Sequence, residues 1–139
     1  MPEVPAEDPI RVALASYLAS DAALMSLATG VHHLRAPAEA EFPYVIFNMQ
    51  SGQPRWSMRD ASNNDLWLVK GLCRGGDQGP AEAIDARCAA LLDHPSFPIA
   101  GFDLLGVQRE TAVRYPEDDA GETIFHVGSL YRVQTFPIA

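Results

Sequence analysis

Residues 122–136 alternate at period two. Phe125, Val127, Tyr131 and Val133 share one face, and Ile124, His126, Leu130, Arg132 and Gln134 share the other. This predicts a β-strand of about fifteen residues against the usual five or six. Such a strand overhangs its own core or is covered by a neighbour. At the other end of the chain the period is helical. Asp8 reads as an N-cap with Pro9 at the first helical position, and Ile10, Ala13, Leu14, Tyr17 and Leu18 form one apolar stripe. The phase breaks at Ser20-Asp21, which recaps a short second helix carrying Leu24, Leu27 and Ala28 before Gly30 stops it. A short strand over 31–34 and a Pro-containing connector lead to a strand over 44–50, opened by Pro43.

The polar stretch 51–64, with Gly52, Pro54 and Asn63-Asn64, reads as a loop of about fourteen residues before a strand over 65–74. Gly75-Gly76-Asp77 turns the chain, and Pro80 opens a helix whose stripe is Ile84, Cys88, Leu91 and Leu92, with Glu82, Asp85 and Asp93 directed away. His94-Pro95 ends it. A short strand or turn over 98–102, a strand over 104–115 and an acidic turn over 116–121 precede the long strand. The order α, β, β, β, α, β, β predicts an α+β fold: a mainly antiparallel β-sheet with two main helices packed on one face. Residues 1–8 read as an N-terminal tail and 9–139 as one domain.

Composition narrows the partners more than the fold. The 139 residues carry a net charge of −8, and Lys70 is the only lysine, so sequence-specific nucleic-acid binding is not expected. No apolar run approaches a membrane span and residues 1–9 lack the pattern of a signal peptide, which points to a cytoplasm-like compartment. Cys73 and Cys88 form no CxxC and read as core side chains. His32-His33 would point to opposite faces of a strand, and no other ligand lies at metal spacing, so no metal or cofactor is expected. No nucleophile elbow and no phosphate-binding glycine motif is present. His126 near Glu122 and Asp119 reads as a partly exposed strand histidine, not an acid–base centre.

The stretch 53–59 differs. Arg55, Trp56, Met58 and Arg59 are residue types enriched in the cores of protein interfaces, placed where a hydrophobic core is least able to claim them. His126 and Arg132 join them as candidate contacts. Folding of Trp56 back onto the sheet is the competing reading.

These elements resemble the tail-completion or tail-terminator family of long-tailed phages and gene transfer agents. The resemblance runs from about Ile10 to Phe136. It is carried by Leu18, Asp21, Leu24 and Leu27 before Gly30-Val31, by Pro37 leading to Phe42-Pro-Tyr-Val45, by Ala81-Glu-Ala-Ile84, and by 121–128 with Tyr131-Arg132. It implies a structural, non-enzymatic virion protein made in a bacterial cytoplasm. In this reading a homo-hexameric ring caps the tail tube at the head-proximal end, contacts the tail-tube protein and joins it to the head connector or stopper. DNA would pass through the ring, and Asp60, Asp65, Glu117, Asp118, Asp119 and Glu122, with Glu110, are candidates to line that channel and repel phosphate. A head-side connector or stopper, and a small acidic ligand-binding or enzymatic domain, remain as alternatives.

Overall fold

The computed structural model describes residues 6–56 and 61–138, with side chains except at 53–56 and 61. Three helices and five strands alternate as α1 (Glu7–Ala19), α2 (Ala22–Leu27), β1 (Val31–His33), β2 (Tyr44–Trp56), β3 (Ala61–Arg74), α3 (Gly79–Leu91), β4 (Phe102–Asp119) and β5 (Glu122–Pro137). They build one sheet in the order β1-β2-β3-β5-β4, antiparallel throughout except for the parallel pair β1·β2. The helices cover one face. Ile10, Leu14, Leu18, Leu24, Ile84 and Cys88 pack on Val45, Phe47, Trp67, Val69, Tyr131 and Val133 in one cluster. Each large side chain buried there contributes about 1.5–3 kcal/mol. On the opposite face Tyr44, Ile46, Leu72 and Ile124 are closed over by Ala36, Ala40 and Phe42 of the connector.

Several expectations are corrected. Asp8 is not the N-cap of α1: the helix starts at Glu7, its cap is Ala6, and Asp8 lies in the first turn, 3.6 Å from Arg11. The acidic first turn suits the positive end of the helix dipole, so no side-chain cap is required there. The stretch 51–64 is not a loop. β2 continues to Trp56 and β3 begins at Ala61, so a hairpin arm replaces it. Pro54 is tolerated because β1 stops at His33 and leaves this part of β2 at the sheet's edge. The acidic turn over 116–121 shrinks to Ala120-Gly121, both at positive φ as a two-residue hairpin turn requires.

The long last strand does not overhang. β5 pairs with β3 from Ile124 to Thr135 and with β4 from Glu122 to Pro137, so it lies in the sheet's interior. The open length belongs to β4 instead. Asp85 is also misassigned by polarity: it lies on the buried side of α3, where its side chain is 7% exposed.

Asp21 fastens the helices to one another. It caps α2 by accepting from the Leu24 N–H at 2.8 Å, and Arg87 of α3 donates two hydrogen bonds of 2.8 Å to its carboxylate. The Arg87 hydrogen bond, seconded by the Leu24 N–H, holds its pKa down to about 2. Asp21→Ala removes the cap and the fork together. A lower Tm than the parent is expected by calorimetry, and an unchanged Tm would deny the latch.

Candidate assembly interface

The acidic hairpin between β4 and β5 is built by its turn. With two residues at the tip, each residue before it pairs with its mirror after it: Asp119 with Glu122, Glu117 with Ile124 and Tyr115 with His126. This brings Tyr115 flat against the His126 ring, with centroids 4.3 Å apart, and Glu117 Oε1 to 2.7 Å from His126 Nε2. Lys70 donates to the Tyr115 hydroxyl at 2.9 Å from β3. His126 is therefore buried, not partly exposed as its sequence position suggests. Burial pushes its pKa down and the Glu117 hydrogen bond works against that. Tyr115 is the exposed member of this stack, at 43%.

At the tip, Arg74 pairs with Glu122 at 2.7 Å and with Asp119 at 3.7 Å. Glu117, Asp118, Asp119 and Glu122 are all exposed and outnumber that single cation. Asp65, another channel candidate, is buried and cannot line a channel from there. Burial first, and Glu7 second, push its pKa up to about 6, with Arg132 pulling the other way. Glu110 accepts a two-pronged pair from Arg132, with both distances 3.0 Å, so that arginine is engaged within its own chain. Asp60, Met58 and Arg59 lie outside the described residues. Arg55 and Trp56 end β2, opposite Ser62 and Ala61, at the tip of the arm and beyond the last pairing of β3 with β5 at Asn63.

A second polar cluster escaped sequence reading. Arg109 Nε donates to Ser129 Oγ at 2.8 Å, and Ser129 Oγ donates to Asp85 Oδ1 at 3.0 Å beneath α3. These residues come from three elements: the pairing of β4 with β5 brings Arg109 near Ser129, and the packing of α3 on the sheet brings Asp85 to them. Arg114 likewise reaches Glu82 at 3.3 Å. Thus Arg11, Arg74, Arg87, Arg109, Arg114 and Arg132 each hold a carboxylate of the same chain.

None of this assembles a catalytic set. His33 packs on Phe47 and Trp67 while His32 packs on Tyr44, so the adjacent pair does point to opposite faces. Among the described residues no group of three or more His, Cys, Asp or Glu is placed to hold a metal, and Cys73 and Cys88 are buried free thiols. No helix of the described residues is long and apolar enough to cross a membrane. An open cleft of about 590 Å³ lies between α1 and residues 98–100, lined mainly by Pro9, Val12, Ala13, Pro98 and Ile99. Among the described residues that line it, Asp8 is the only charged one.

The family described as "Tail completion protein gp17" matches residues 12–133. A chain in a solved structure, "Virion of native gene transfer agent (GTA) particle", is similar in fold with a TM-score of 0.79. Its sequence is 16% identical, and the match covers 91% of this chain and 94% of that one. No curated protein matches the sequence.

Proposed function

The chain belongs to the tail completion protein gp17 family, a family of structural virion proteins and not of enzymes, and from that premise we propose that it is a tail terminator. Its copies close into a six-fold ring on the head-proximal end of the tail tube, stop the tube's growth and present a surface to the head connector. The family match over 12–133 carries this reading. The shared fold with a chain of a gene transfer agent virion supports a particle of that general kind. The arm formed by β2 and β3 supports it too, because its tip carries Arg55 and Trp56 beyond the pairing of β3 with β5. We assign the bore to the tip of the β4–β5 hairpin, where exposed Glu117, Asp118, Asp119 and Glu122 would repel passing phosphates.

Imaging of intact particles tests the ring. Six copies at the head-proximal end of the tail are expected, and a single copy or a ring of another order there overturns the proposal. Trp56→Ala tests the arm. Stability within about 1 kcal/mol of the parent is expected, as for surface changes generally, together with loss of assembled particles. A large loss of stability would instead place Trp56 in its own chain's core.

A further inference from the structure

The two sides of the sheet end in open edges of unequal character. Among the described residues, β4 has β5 on one side and no strand on the other. Over residues 109–119 that edge is guarded by Arg109, Glu110, Arg114, Glu117, Asp118 and Asp119 and by Pro116. Charges and prolines at an edge are what keep sheets from pairing with further strands. Residues 102–108, Phe-Asp-Leu-Leu-Gly-Val-Gln, carry one charge and no proline, and Leu105 is 51% exposed. The opposite edge repeats this division. β1 covers β2 only from Val45 to Phe47. Beyond it, residues 48–53, Asn-Met-Gln-Ser-Gly-Gln, have neither charge nor proline, and Pro54, which has no N–H, closes the stretch.

These two unguarded edges overlap in height where Gly106, Val107 and Gln108 lie level with Gln53, Gly52 and Ser51. Following the registers across, Gln108 pairs with Arg132, Arg132 with Leu66 and Leu66 with Ser51; Val107 leads in the same way through Val133 and Asp65 to Gly52. β4 runs opposite to β2, since three antiparallel pairings separate them. A second copy shifted sideways without stagger therefore brings its β2 antiparallel to β4. Where its β1 would obstruct the lane, level with Ala112 to Arg114, β4 has just passed the irregularity between Arg109 and Thr111, which bends it.

We propose that neighbouring copies join by strand addition, residues 105–109 of β4 in one protomer pairing antiparallel with residues 49–53 of β2 in the next. The contact is head-to-tail, with a different edge on each side, which is the kind that closes rings. It rests on the reading of the chain as a ring-forming tail terminator. The occupant is a second copy because the two edges, which overlap in height, run antiparallel and lack guarding residues where they overlap, belong to one molecule.

The test is an oxidative cross-link in intact particles carrying Ser51→Cys with Gln108→Cys. Both positions are exposed, while Cys73 and Cys88 are buried, so new disulfides report the engineered pair. Facing positions on adjacent strands hold their Cβ atoms about 4.5–5.5 Å apart, close enough to bridge. A non-reducing gel should show a ladder in steps of 15.1 kDa, absent from either single variant. Leu105→Lys adds a guard to the edge and should reduce ring occupancy on tails about tenfold or more without lowering Tm. Rings seen in particles that yield only monomers on the gel, with Leu105→Lys assembling like the parent, overturn the seam and leave the terminator reading intact. Particles in which no ring is seen overturn both.

Discussion

Gly128→Ala is expected to lower the stability of the purified chain by about 3 kcal/mol or more, or about 10 °C in Tm. Gly128 sits in the middle of β5 between Lys70 on β3 and Val113 on β4. A Cβ added there would fall on the Cβ of Lys70 and lie 2.5 Å from its Cα and from the Val69 carbonyl oxygen. Two of these three neighbours are backbone, so no side-chain rotation relieves the overlap and the two strands must move apart. Gly106→Ala is the control. An added Cβ there meets nothing within 4 Å and the backbone is not in the left-handed region, so a change within about 1 kcal/mol, of either sign, is expected. Equal effects of the two substitutions by urea unfolding would refute the argument from close approach.

Asp65→Asn is expected to stabilise the chain at pH 7, by at most about 3 kcal/mol, and to have little effect near pH 4. Asp65 lies on the helix-covered face of β3, and its folded pKa of about 6 stands above the ordinary 3.8 because burial, and then Glu7, oppose its charge. The sign follows from proton uptake. Between about pH 4 and 6 the folded chain holds a proton that the unfolded chain releases, so this group's contribution is full below pH 4 and is lost as pH rises through 6. Asparagine keeps the shape and removes the charge, so the difference between variant and parent should grow from near zero at pH 4 to its maximum above pH 6. Paired unfolding curves at the two pH values check this. A variant no more stable than the parent at pH 7 would show that Asp65 is satisfied in its charged form.

The elements that sequence predicts well here are those with one buried face. β5, the middle of β2 and β3, and helices α1 and α3 all show their period because each turns an apolar stripe to one core. The arm formed by Ser51–Trp56 and residues 61–64 shows none: Ser51, Gly52, Gln53 and Pro54 have no apolar alternation, and backbone pairing defines the strand there. Residues 116–119 were legible only as acidic, because an edge strand exposed on both faces carries no periodic signal. The length of β5 was legible but its neighbours were not, since length in sequence does not say that β3 and β4 are long enough to match it. Asp85 illustrates the opposite error. Its spacing from Ala81, Ile84 and Cys88 puts it on the buried stripe, and its polarity argued it out again. Ser129 and Arg109, forty-four and twenty-four residues away, help make its burial tolerable.

The placement of β5 also bears on how the chain is made. It is the last element in order and the second strand from the edge in space, wedged between β3 and β4. During translation β2 and β3 can pair as soon as they emerge, but β4 has nothing to join until residues 122–137 have cleared the ribosome. Elongation at about 5–20 residues per second sets how long the inner edge of β3 stays bare. A nascent chain stalled before Glu122 therefore holds the β1-β2-β3 sheet with one edge of β3 open and β4 as a strand without its partner.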